Sequence, residues 1–293
     1  MKEIFLKLEN QEQLIKEIGD RIQRIRSYTP KVGVFGNSGV GKSSLCNALF
    51  GKDIAKISDV EACTRKPQEI LIGAGENNGG ITLVDVPGIG EDPAHQQEYT
   101  NLYKSLAPEL DLILWTIKAD DRNYASGLDA YKAVFDNKDA PPVIFVITQT
   151  DKTNDTDDWN RQDYHPGGSQ DGNIAKKEND VSKRFNISTK NIISIAVQVK
   201  EEKLTGKSYN LKPLVDLVVE ALPNEKKYSF TREAKEENVS QEARKTAEKG
   251  IWDSAKEFAG EAWDTVKEKV SDIIIASAPK IISTISKWIR SFF

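Results

Sequence analysis

The sequence predicts an α/β fold of three layers: a mostly parallel sheet with one antiparallel hairpin, and helices on both faces. Three observations carry that expectation. Short apolar runs alternate with helical patterns from Lys31 to about Pro223. Most of these runs are continuously apolar, as strands buried on both faces must be. One of them leads into GNSGVGKS (residues 36–43), which passes directly into a helical segment. Strand, glycine loop, helix is the order a phosphate-binding loop requires.

Taken in chain order, residues 1–28 read as a helix. Ile4, Leu8, Ile15, Ile18, Ile22 and Ile25 recur at three- and four-residue steps, and Pro30 closes the segment. Strands are expected at 31–35, 68–73, 81–86, 111–117, 142–148 and 191–197, with helices near 42–50, 96–106, 124–136, 173–185 and 211–222. Only AGENNGG joins the strands at 68–73 and 81–86. That is too short for a helical crossover, so the pair is expected to be a hairpin. Residues 151–172 are polar, contain Pro166, Gly167 and Gly168, and read as a long loop.

After Pro223 the composition changes. Residues 225–249 are dense in charge, and WDSAKEFAGEA (252–262) is then echoed by WDTVKEKVSDI (263–273). A step of eleven residues returns side chains to nearly the same helix face. Trp252, Ala255, Ala259, Trp263, Val266, Val270 and Ile274 form one stripe. Ile281, Ile282, Ile285, Trp288, Ile289 and Phe292 form another beyond Pro279. The expected organisation is an N-terminal helix (1–29), one α/β domain (30–223) and an amphipathic helical extension (224–293).

Composition narrows the function classes. The chain has 293 residues, 41 Lys plus Arg against 45 Asp plus Glu, and a net charge of −4. That balance gives no global reason to expect nucleic-acid binding, and no sequence-specific DNA binding is expected. The two cysteines, Cys46 and Cys63, make no disulfide framework, and His95 and His165 are isolated. The N-terminus does not read as a signal peptide, and no uncharged apolar stretch is long enough to span a bilayer. A cytoplasmic location is expected, with peripheral association at the inner membrane left open by the tail.

The loop glycines let successive N–H groups turn inward towards phosphate oxygens, and the helix that follows adds its positive end. Asn37, Ser38, Gly39, Val40, Gly41, Lys42, Ser43 and Ser44 are the expected phosphate contacts. Lys42 would bridge the β- and γ-phosphates, and the Ser43 hydroxyl would ligate Mg²⁺. Four further segments favour GTP over ATP. DVPG (85–88) offers Asp85 to Mg²⁺ and the Gly88 N–H to the γ-phosphate. Thr64, in ACTR, lies where a threonine can ligate Mg²⁺ and sense the γ-phosphate. TQTD (148–151) places Asp151 where its carboxylate accepts two guanine N–H groups that adenine lacks. A turn-capping aspartate is the alternative for Asp151. Ala196 and Val197 offer backbone N–H groups to the guanine oxygen. Asp120 and Asp121 read as a solvated loop or a helix start rather than a metal site.

In this order the segments resemble the five G motifs of the TRAFAC GTPases over about residues 31–222. SLCNALF, VEACTRKPQE, LVDVPGIGE, PELDLILWTIKADDR and ITQTDK are similar to Era-like, prophage-associated bacterial GTPases of the YfjP/YeeP type, often labelled ribosome-binding GTPases. The resemblance implies a Ras-like G domain and a Mg²⁺-dependent GTP switch with slow hydrolysis. The chain departs from the family pattern at several places. Thr148 and Gln149 replace the Asn-Lys of the base-reading motif, and Ala196-Val197 replaces Ser-Ala. Ile89 stands where a water-orienting Gln would be, leaving Glu91, Asp92 and Arg65 as candidates. Gly39 replaces the Asn that recruits potassium in some relatives, with Asn37 nearby.

Two function classes stay open. One is an enzyme hydrolysing GTP to GDP, with loops 53–67 and 88–100 as its output. The other is a GTP-dependent assembly or scaffold protein, which extends to a dynamin-like membrane role. The tail can pack on the domain or on another copy of the chain, lie on a membrane surface, or dock to a ribonucleoprotein such as the ribosome.

Overall fold

The computed structural model describes residues 2–51, 68–73, 80–89, 95–122, 124–135, 140–201 and 203–267, with positions 283 and 287. Its helices are α1 (Lys2–Ser27), α2 (Lys42–Phe50), α3 (Gln96–Leu106), α4 (Ala125–Phe135), α5 (Gly168–Phe185), α6 (Leu211–Ala221), α7 (Asn224–Glu233) and α8 (Gln241–Lys267). Its strands are β1 (Lys31–Gly36), β2 (Gln68–Ile72), β3 (Ile81–Asp85), β4 (Leu112–Lys118), β5 (Val143–Thr148), β6 (Ile192–Ser194), β7 (Ala196–Lys200) and β8 (Lys203–Tyr209).

Six strands form one sheet in the order β2-β3-β1-β4-β5-β6. The β2–β3 pair is antiparallel, as expected of the hairpin, and the other pairs are parallel. Strand alternation divides the core between the two faces. Val32, Val34, Leu112, Leu114, Ile144 and Val146 point to the face covered by α2 and α6. Phe35, Ile113, Trp115, Phe145 and Ile147 point to the face covered by α3, α4 and α5. β1 is central, with β3 on one side and β4 on the other. The crevice beyond its carboxyl end is the place where open α/β sheets take ligands.

Two expectations need correcting. The run 191–197 is not one strand. Ile195 still bonds to the β5 edge, its N–H to Ile147 O at 2.7 Å, and accepts the Thr150 N–H at 3.2 Å. From Ala196 the chain leaves the sheet and pairs with β8, Ala196 opposite Tyr209 and Val197 opposite Ser208. β8 reads KLTGKSY, with no apolar run to announce a strand. The loop 151–172 is also shorter than expected, because α5 begins at Gly168. Its cap comes from outside the helix: the Asp158 carboxylate accepts the N–H groups of Ser169 (2.9 Å) and Gln170 (3.0 Å).

At the sheet edge opposite the crevice, buried Asp111 ties three elements together. It accepts the Tyr28 hydroxyl (2.9 Å) and the Lys31 N–H (2.8 Å), and it pairs with Lys226 of α7. Ser229 of α7 adds a bond to Tyr28 O at 2.7 Å. α7 and the turn after it also close the end of α2. Phe230, 0% exposed, meets Phe50 edge-on at 5.8 Å between ring centres. Lys235 N–H donates to Leu49 O (2.8 Å) and the Asn238 amide to Ala48 O (3.0 Å). These are carbonyls that the last turn of a helix leaves without partners. α8 then runs past with Ala243, Ala247, Ile251 and Ala255 buried at steps of four, while Trp252 is only partly buried. The side chains of the stripe from Ala259 onward lie outside the described residues.

Because Phe230 is buried inside the main core, Phe230→Ala should cost about 3–5 kcal/mol. Urea denaturation of the full chain checks this. A loss below about 1 kcal/mol would mean that α7 does not share the core in solution.

Candidate functional site

Gly41 closes the loop after β1 with φ 87°, a left-handed turn that favours glycine, and α2 starts at the next residue. Lys42 is 9% exposed, and its ammonium donates to Asn37 O at 2.8 Å and Gly36 O at 3.4 Å. Ser43 and Ser44 are half-buried on the first turn of α2. Cys46 packs behind them, and burial pushes its thiol well above the ordinary range.

On one flank, Asp85 ends β3 beside Val34 of β1 and is 3% exposed. The segment that follows is zipped to the loop. Ser38 N–H donates to Ile89 O (3.2 Å), and Ile89 N–H donates to Gly36 O (3.3 Å). Gly88 is pressed so close that a Cβ would stand 2.4 Å from Ser38 N. Tyr103 of α3 clasps the junction. Its hydroxyl donates to Pro87 O at 2.8 Å, lies 3.1 Å from Gly36 O, and accepts Gly36 N–H at 3.3 Å. Burial drives its ionisation far above neutral pH, so the phenol keeps its proton to donate. Nothing in the sequence marks this role, since Tyr103 reads as one more apolar position on an amphipathic helix.

On the other flank, buried Thr148 ends β5 and donates its hydroxyl to Val40 O at 2.5 Å. Gln149 has φ 57°, and its amide donates to Gly39 O at 3.2 Å while accepting Lys152 at 2.8 Å. Gln149 therefore reaches across to the loop rather than standing apart from it. Gln170 of α5, 0% exposed, holds the turn from beneath, with its amide near Thr150 O, Asp151 O (both 3.4 Å) and Thr153 O (3.2 Å). Partial burial raises the Asp151 carboxyl above its ordinary value, against the lowering influence of Lys152, its own backbone N–H and Tyr164. Ala196 and Val197 lie beside this turn in β7. Successive residues of a ladder point their N–H groups in opposite directions, so one of the two aims its N–H away from β8.

The structure thus brings the loop 36–44, Asp85, Gly88, Thr148, Gln149, Asp151 and Ala196-Val197 to one edge of the sheet. Thr64, Cys63, Arg65, Glu91 and Asp92 lie outside the described residues. A cleft of about 420 Å³ adjoins the loop on its β4 side, lined in part by Asn37, Ser38, Ile89 and Asp120. Asp120 pairs with Lys118 at 3.2 Å, in keeping with the expectation of a solvated loop.

A central strand feeding a glycine loop at the switch of strand order, with an acidic strand end beside it, defines a P-loop nucleotide-binding domain. Residues 31–149 match the family described as 50S ribosome-binding GTPase. YkfA of Escherichia coli strain K12 is 46% identical over 136 residues, covering 46% of this chain and 47% of that protein. YfjP of the same strain is 43% identical over 145 residues, half of each chain. GTPase Era of Campylobacter hominis is 32% identical over 127 residues, 42% of this chain and 41% of that one. The chain spans about half the length of the curated relatives it matches. Over this domain the chain is similar to the Era-like P-loop GTPases and to the proteins of the YfjP/YeeP type.

The zipped flank gives a direct test. In Gly88→Ala the added methyl must displace the Ser38 backbone, so the Ser38–Ile89 bond should break at a cost of about 1–3 kcal/mol. Hydrogen exchange at Ser38 and Ile89 should accelerate. Unchanged exchange would mean that the flank is already open in solution.

Proposed function

We propose that the chain binds GTP with Mg²⁺ and hydrolyses it slowly to GDP, acting as a molecular switch. The observation that carries this reading is the position of one glycine loop, with Lys42 at its base, between Asp85–Ile89 on one flank and Thr148–Asp151 on the other. The backbone N–H groups of residues 37–44 and the Lys42 ammonium would hold the phosphates. Asp151 would read the guanine edge, with a β7 N–H on the guanine oxygen and the Gln149 stem along the base. Adenine would leave the Asp151 carboxylate unpaired in a partly closed site.

The donor set suits a hard divalent cation. A buried carboxylate at the end of β3 and the Ser43 hydroxyl at the start of α2 offer oxygen ligands and leave other positions for water. Thr64 would complete the set. When bound, Mg²⁺ supplies charge neutralisation on the phosphoryl oxygens. Gly88 would offer its N–H to the γ-phosphate, which requires the contact with Ser38 to open. That opening is the switch. Ile89 is 0% exposed and carries no group able to orient water, which supports slow turnover. The same residue supports a second reading, a GTP-dependent assembly factor activated by a partner or by another copy of the chain. The family description adds a ribosomal partner, and the tail composition adds a membrane surface or self-association.

Calorimetry with GTP, GDP and ATP in the presence of magnesium tests the core of the proposal. Equal affinity for ATP and GTP would overturn it. Lys42→Ala should weaken GDP at least 100-fold, the loss expected when a charge-assisted phosphate contact is removed; near-normal binding would reject the loop assignment. Asp151→Asn should move preference from guanine to xanthine, because the amide donates where the carboxylate cannot. Retained guanine selectivity would place base recognition elsewhere.

A further inference from the structure

Pro87 and Gly88 share one peptide unit. Its carbonyl is Pro87 O, and its N–H is that of Gly88, the group proposed above to meet the γ-phosphate. The unit is planar and trans, so the two groups lie on opposite edges of one rigid plate. Whatever grips the carbonyl therefore sets the direction of the N–H. The plate itself turns easily. Proline fixes only its own φ, which leaves Pro87 ψ and Gly88 φ as the axes. A glycine follows such a rotation at little steric cost.

The grip comes from α3. The Tyr103 hydroxyl donates to Pro87 O at 2.8 Å, and its oxygen accepts the Gly36 N–H at 3.3 Å. Gly36 O, 3.1 Å from the same hydroxyl, has the Ile89 N–H and the Lys42 ammonium as donors, so the single phenolic proton goes to Pro87 O. One oxygen thus fastens the plate to the last residue of β1, where the glycine loop begins. The ring cannot follow a swinging plate. It is fully buried, lies 4.2 Å from the Phe35 ring and meets Trp115 edge-on at 6.0 Å between centres. Pro87 and Gly88 are buried as well, so the carbonyl depends on a protein partner. Gly88 is seated against Ser38. The edge of the plate that carries the N–H therefore lies beside the loop, and the carbonyl edge faces α3.

We infer that Tyr103 is a positioning residue for the γ-phosphate: by holding Pro87 O, it holds the Gly88 N–H in a fixed direction relative to the glycine loop. This rests on the γ-phosphate contact proposed above for Gly88. GDP has no γ-phosphate to receive that N–H, so the hydroxyl serves GTP and not GDP. Without the hydroxyl the plate has no set direction, and ordering it again on binding weakens the triphosphate alone. The ring makes a separate contribution, the packing of α3 on the sheet, and that contribution is common to both nucleotides.

The test is Tyr103→Phe in the full chain, which keeps the ring and removes only the hydroxyl. GDP and the non-hydrolysable analogue GMPPNP are titrated by calorimetry with magnesium. GMPPNP should weaken about tenfold, the scale of one lost buried hydrogen bond, while GDP changes less than twofold. Retained GDP affinity also shows that the variant is folded. A spectroscopic reading goes with it. The chain has two Pro-Gly pairs, 87–88 and 166–167, so carbonyl-labelled proline with ¹⁵N-glycine isolates the Gly88 amide signal and gives Gly167 as its control. In the unsubstituted chain the Gly88 signal should differ between the GMPPNP and GDP complexes, and in Tyr103→Phe that difference should shrink. Equal losses for both nucleotides, or unchanged affinity for both, overturn the inference. So does an undiminished Gly88 difference in the variant. If Gly88 in the unsubstituted chain responds alike to GDP and GMPPNP, the γ-phosphate contact itself is at fault, and the role of Tyr103 falls with it.

Discussion

The carbonyls of the loop between β1 and α2 are held mostly by groups from outside the loop. Buried carbonyls need polar partners, and here the partners come from four separate parts of the chain. Gly36 O accepts from Lys42 and Ile89 and lies 3.1 Å from the Tyr103 hydroxyl, and Asn37 O accepts from Lys42. Gly39 O accepts from Gln149, Val40 O from Thr148, and Gly41 O from the Leu45 N–H inside α2. Much of the surrounding fold acts by bringing those donors to the outer side of one short loop.

Seen this way, the departures of TQTD from the family pattern acquire a physical reason. Thr148 and Gln149 lack the Asn and Lys of the wider class, yet both supply a donor to a loop carbonyl. The turn thus keeps a structural duty even where its side chains differ. The other flank is tied by backbone, through Ile89, and by one phenol, through Tyr103. A backbone tie of one or two neutral hydrogen bonds is worth about 1 kcal/mol each.

The helices after Pro223 belong to the same mechanics. α7 and the turn after it cap the carboxyl end of α2, whose amino end follows the phosphate loop. A helix capped at one end by the extension and joined at the other to the loop is a rigid link between them. The Asp111 knot fixes α1 and α7 at the far edge of the sheet. Among the described residues no helix is long and apolar enough to cross a membrane.

By itself the sequence determined the layer architecture, the hairpin, the position of the loop and the order of the segments around it. These are set by local patterns: apolar runs for strands buried on both faces, glycines where the backbone must turn, and a crossover too short to hold a helix. The strand break at Ile195, the cap supplied by Asp158 and the clasp of Tyr103 were decided only by the tertiary structure. Each depends on groups well apart in the chain meeting at one point, and no local periodicity records which phenol or carboxylate will find a partner there. Tyr103 reads in sequence as an ordinary aromatic residue because what sets it apart is where its hydroxyl ends, which only packing fixes.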